Sequence, residues 1–194
     1  MANKQIDTGL LDKAVVFAVR AHSGTERRGK GFPYIVHPLE AVEIVSTMTS
    51  DQQLLAAAVL HDTVEDTCVT LEQIRDEFGD RVASIVEAES DKNANGLSAK
   101  DSWHDRKKGA IDRLAKASRE AKIVALGDKL SNMRAIARDY SVMGDELWKI
   151  FHVTDKKDHE WHYRGLADSL RELQDTFAFK EFEALINQVF GTKE

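Results

Sequence analysis

The chain has 194 residues, which suits one domain and leaves little room for two independent cores. Hydrophobic residues make up 42% and charged residues 31%, which excludes a disordered chain, and 27 Lys and Arg against 33 Asp and Glu leave a net charge of −6, which argues against coating nucleic acid through bulk charge. One cysteine, Cys68, excludes a disulfide framework and a Cys-rich zinc site, and two prolines with 11 glycines leave little scope for a turn-dense β fold.

Helical patterns follow one another along the chain. Leu11, Val15, Ala18 and Ala21 mark one face of a helix over roughly 8–22. Its charges, Asp12, Lys13 and Arg20, make it neither a signal peptide nor a membrane span, so a cytoplasmic location without membrane attachment is expected. The Gly-rich, basic stretch Ser23–Phe32 reads as a loop, and Pro38 suits the first turn of a helix continuing through Ala41, Ile44 and Val45. Ser50 with Gln53 has a capping-box pattern before Leu54, Leu55, Ala58 and Val59, and Thr70 with Gln73 repeats it, with Gly79 placed to end that helix. A short helix over 80–89 is followed by the polar, small-residue stretch Ser90–Trp103, read as a surface connection or a cover over a pocket. Helical character returns at Ser102–Lys116 and Ala121–Arg138, then in shorter pieces near Gly144–Phe151, Asp158–Phe177 and Phe179–Phe190. With no repeat and no linker, the expectation is one all-α domain over 1–194, a bundle of about nine or ten helices with its motif-bearing core in 8–140 and an extension over 141–194. Trp148 and Trp161 in that extension read as core anchors.

Several polar residues do not suit a plain bundle. An apolar helix runs into His61-Asp62, and Glu65 and Asp66 follow within a turn, so three carboxylates crowd one imidazole. Such a group repels itself unless a proton or a cation offsets the charge. His37, beside Pro38, is placed to face a cavity, and Asp128 is a carboxylate in an otherwise apolar helix with Asn132 one turn on. His37, His61, Asp62 and Asp128 together offer two imidazoles and two carboxylates, a donor set suited to Mn(II), Fe(II) or Zn(II). Arg27, Arg28, Lys30, Lys92, Arg106, Lys107 and Lys108, with Lys129 and Arg134 flanking Asp128, supply cations for phosphate groups in an acidic chain, or simply a solvated surface.

The ordered motifs His22-x-Gly24, Pro33-Tyr34-Ile35-x-His37-Pro38, Leu60-His61-Asp62-x-x-Glu65-Asp66-Thr67 and Gly127-Asp128-Lys129-Leu130-x-Asn132-Met133-Arg134 resemble the HD-domain alarmone hydrolases, over roughly residues 10–140. The resemblance implies a helical HD fold with one divalent ion, most often Mn(II), held by His37, His61, Asp62 and Asp128. It implies removal of the 3′-pyrophosphate from ppGpp or pppGpp, with Glu65 and Asp66 handling the attacking water, Asn132 touching the nucleotide and the loop after His22 packing on the base. Arg27, Arg28, Lys30, Lys92, Arg106 and Lys107 are the expected substrate contacts. Two departures bear on recognition: the loop before Pro33 is one residue longer than usual, and Ala135 stands where the family has Thr. Other readings stay open: a different nucleotide substrate (an adenosine alarmone, the 2′-phosphate of NADPH or a nucleoside monophosphate), or a nucleotide-binding regulator without turnover. Self-association is also left open.

Overall fold

A computed structural model describes residues 6–27, 29–89 and 103–192. Among the described residues there are ten α-helices and no strand: α1 Gly9–Ala21, α2 Val36–Ser46, α3 Gln52–Leu60, the single turn α4 Thr63–Asp66, α5 Leu71–Phe78, α6 Asp80–Glu89, α7 Trp103–Lys116, α8 Arg119–Met143, α9 Lys156–Ser169 and α10 Phe177–Phe190. None is long and apolar enough to cross a membrane. The basic loop after α1 is pinched by one antiparallel bridge, Glu26 to Pro33.

The centre of the molecule is α3. Every residue from Leu54 to Leu60 is buried, so this helix is apolar all round and must be enclosed by neighbours. α1, α2, α6 and α8 enclose it. The 25-residue α8 buries Leu126, Leu130 and Met133 completely and carries α2 on one side and α10 on another. α7 and α9 pack together. At Gly127 the approach of α2 to α8 tolerates no side chain: a Cβ would stand 2.9 Å from the carbonyl oxygen of Ala41 and 2.7 Å from Val45. The missing side chain brings α2 close beside the next residue, Asp128.

Local chemistry sets the boundaries. Thr70 and Gln73 form the expected reciprocal capping box, and Gly79 closes α5 at φ +89°. At α3, however, the cap is Asp51, whose carboxylate accepts from Gln53 N, and not Ser50; Asp51 is also tied to Arg81 at 2.8 Å. α8 begins earlier and ends later than its apolar pattern, because Ser118 caps it and Gly144 ends it. The helix expected over Asp158–Phe177 stops at Ser169, and Thr176 caps a new one.

Candidate metal centre and the cavity around it

Three segments converge at one buried corner. α3 ends by delivering His61, 2% exposed, and the chain turns through Asp62 into α4. His37 sits in the first turn of α2 and Asp128 in the middle of α8, 3% and 6% exposed. His61 Nε2 lies 2.9 Å from Asp62 Oδ2 and 3.5 Å from Asp128 Oδ1; His37 Nε2 lies 3.1 Å from Asp128 Oδ1 and 3.5 Å from Asp62 Oδ2. One atom each from His37, His61 and Asp128 falls within 4.8 Å of the others, the spacing of a cation site.

The hydrogen bonding shows that the corner suits a cation. His61 Nδ1 stands 2.8 Å from the carbonyl oxygen of Ala58, which can only accept, so Nδ1 carries the proton. In the neutral ring Nε2 is then a lone pair aimed at carboxylates, and it is buried without a hydrogen-bond partner. Burial alone would depress the His61 imidazole, but the Asp62 and Asp128 carboxylates hold it well above its ordinary value. Burial would likewise raise both aspartates, yet His61 and His37 hold Asp62 low, and Lys129 with the two imidazoles holds Asp128 low. Two ionised carboxylates facing two imidazole nitrogens favour positive charge between them, and the donor types suit a divalent ion.

Further residues fix this arrangement. Tyr34 donates its hydroxyl to Asp62 Oδ2 at 2.6 Å, and burial together with Asp62 keeps that phenol protonated. Asn132 Nδ2 donates to Asp128 Oδ1 at 2.5 Å while its carbonyl oxygen accepts from Arg27. Lys129 Nζ bridges Asp128 Oδ2 at 2.5 Å and Glu89 Oε2 at 3.3 Å.

The corner opens into a cavity of about 390 Å³ that Glu65, Asp66, Arg27, Lys107 and Asn132 also line. Its far wall comes from Trp103 on α7 and from His159, His162 and Tyr163 on α9. A second cavity of about 540 Å³ shares Arg27, Tyr34, Asn132, Ile136, Phe151 and Tyr163 with the first, and Met143 and Ile150 extend its apolar wall.

The corner thus gathers His37, His61, Asp62 and Asp128, with Glu65 and Asp66 beside them. Of the cations expected at the site, Arg27 and Lys107 line the metal cavity. Lys30 lines the second cavity instead, ion-paired with Asp139 in the C-terminal half of α8. Arg106 does not line the metal cavity. Arg28, Lys92 and the stretch 90–102 lie outside the described residues. Arg134 faces away from the corner, held between Glu40 and Glu181, and Lys108 pairs with Asp112 on the surface. Trp148 is buried as expected, but Trp161 is 37% exposed, its ring lying 4.5 Å from that of the exposed His104. Sequence reasoning missed Glu89 and the α9 residues. Glu89 ends an ordinary amphipathic helix, and nothing in the local pattern ties α9 to a site built from earlier segments of the chain.

Fold and corner together define a helical domain built around a buried His/Asp cluster that could hold a metal ion. The model of the HD domain family matches residues 14–152. A guanosine-3′,5′-bis(diphosphate) 3′-pyrophosphohydrolase, MESH1, from Danio rerio is 34% identical over 134 residues, covering 68% of this chain and 71% of the relative. A GTP pyrophosphokinase rsh from Brucella abortus is 33% identical over 131 residues, 68% of this chain but only 17% of that much longer protein. Among solved structures, a metazoan ortholog of SpoT described as hydrolysing ppGpp superposes with a TM-score of 0.76 over 97% of this chain and 99% of its own, at 23% identity, a likeness of fold. The lmo0812 protein of Listeria monocytogenes gives 0.69 at 28% identity, over 84% of this chain and 98% of its own. The chain belongs to the HD-domain family.

Proposed function

We propose that this protein hydrolyses the 3′-pyrophosphate of ppGpp or pppGpp, giving GDP or GTP and pyrophosphate, with one Mn(II) held by His37, His61, Asp62 and Asp128. The observation that carries the reading is the buried corner itself, two imidazoles and two ionised aspartates beside the acid pair Glu65 and Asp66. The activity by which the MESH1 relative is named supports the substrate class.

A divalent ion bound there supplies Lewis acidity, acidifying a water and neutralising phosphoryl charge. The residues supply position and proton traffic. Glu65 and Asp66 orient the attacking water and take its proton as the new O–P bond forms and the bond from phosphorus to the 3′-oxygen breaks. That proton is then available to the 3′-oxygen, which leaves as a hydroxyl. Arg27 and Lys107 face the phosphates and, with the bound ion, offset the carboxylates that also line the cavity. The apolar second cavity takes the base. At its polar end Lys30 and Asp139 form an ion pair through Asp139 Oδ2, and no described residue pairs with Oδ1. A cation beside a carboxylate complements the O6 acceptor and the N1–H and N2–H donors of guanine, whereas adenine presents a donor and then an acceptor there.

The experiment is a panel with Mn(II)-loaded protein. Pyrophosphate and GDP should appear from ppGpp, with kcat/KM about 10- to 100-fold above that for the adenosine analogue, the discrimination of one good paired contact. Asp139→Asn should collapse this preference. Release of inorganic phosphate alone, or turnover only of other nucleotides, would refute the assignment.

A further inference from the structure

The two imidazoles of the corner are held by different means. His61 leans on a backbone carbonyl, but His37 Nδ1 lies 2.8 Å from the hydroxyl of Ser131, on α8 and 1% exposed. A hydroxyl can accept from an N–H or donate to a lone pair, so this contact alone leaves the His37 tautomer open. The next contact settles it. Ser131 Oγ donates to Glu40 Oε2 at 2.7 Å, and an ionised carboxylate only accepts. With its single proton committed there, Ser131 must accept from His37, which places the proton on Nδ1 and the lone pair on Nε2, facing Asp128 and Asp62.

Glu40 is itself anchored. It lies one turn after His37 on α2, and Arg134 Nη1 reaches its Oε1 at 3.3 Å. Arg134 is gripped on its other edge by Glu181 of α10, through Nε at 2.7 Å and Nη2 at 2.8 Å. Charge-assisted contacts on three helices thus converge on one serine hydroxyl. A helix fastening alone would not need a buried serine between the carboxylate and the imidazole, since Arg134 already ties α2, α8 and α10 together.

We propose that Ser131 and Glu40 are positioning residues of the metal centre, a two-step relay that fixes the His37 tautomer and presents Nε2 to the cation. The proposal rests on His37 being a metal ligand, as in the function proposed above, but its readout is metal binding and not turnover.

The test measures Mn(II) affinity of the chelator-stripped full chain by calorimetry. Ser131→Ala and Glu40→Gln should each weaken binding about 10- to 100-fold, the usual consequence of losing such a partner. The double variant should lose little more than either single one, because both changes break the same relay. Glu43→Gln, which removes the other α2 carboxylate near Arg134 (3.6 Å), should bind like wild type. Metal-free melting temperatures of Ser131→Ala and wild type should agree, and ¹H–¹⁵N spectra of the metal-free protein, recorded where the His37 ring is neutral, should show it protonated at Nδ1 in wild type and as mixed tautomers in Ser131→Ala. Affinities within twofold of wild type for both single variants would overturn the relay, as would losses matched by equal falls in metal-free stability. Wild-type protein that binds no Mn(II) would refute the proposed function along with it, whereas tight relay-dependent binding without ppGpp turnover would refute that function alone.

Discussion

Asp128→Asn should lower ppGpp hydrolysis by about 10³-fold or more, because the stabilisation a bound cation gives to transition-state charge is several kcal/mol and each 1.4 kcal/mol is a factor of ten. The substitution keeps the size of a side chain that is 6% exposed and removes only its charge and one acceptor oxygen. Asp128 is the one carboxylate in the tightest group of donor atoms, and it is held by Asn132 and Lys129 on either side. Without it, Lys129 keeps only Glu89, and the cation keeps one ionised ligand in place of two. The metal-free fold should survive with some loss of stability, since the side chain keeps its size while Lys129 and the two imidazoles lose the charge they hold. Pyrophosphate release and Mn(II) affinity measured on the same preparation should fall together; activity retained with unchanged affinity would remove Asp128 from the site.

Glu65→Gln is expected to act differently. Glu65 lines the cavity from α4 and is not one of the four proposed ligands. Mn(II) affinity should therefore stay near wild type while kcat falls about 10²- to 10⁴-fold, the range for removing a positioned proton acceptor. Asp66→Asn belongs in the same experiment, because Asp66 lines the same cavity beside Glu65. The variant with the larger fall in kcat at unchanged KM identifies the group that takes the proton from water. Loss of metal binding in Glu65→Gln would move that residue into the coordination sphere.

Residue types and spacing were enough to read the corner. His61-Asp62 at the end of an apolar helix, His37 before a helix-starting proline and Asp128 in a buried helix each stand out against their own surroundings, and the structure brings them together. The helices were readable for the same reason: their apolar period and caps are local. What could not be read depends on contacts between distant segments. Lys30 and Arg134 look like phosphate cations until Asp139, Glu40 and Glu181 are found beside them, and these partners are 47 to 109 residues away in the chain. Serine at position 131 looks like an unremarkable helix residue until α2 brings His37 and Glu40 to it. Likewise α9 contributes His159 and His162 to the cavity only because α7 and α9 pack together, which no helical period foretells.

The direct trial of the metal centre is to strip the protein with a chelator and restore Mn(II) stepwise while following pyrophosphate release from ppGpp. Activity should be absent from the stripped protein and reach its plateau at one equivalent of Mn(II) per chain. Undiminished turnover in the presence of excess chelator would contradict a reaction centred on His37, His61, Asp62 and Asp128.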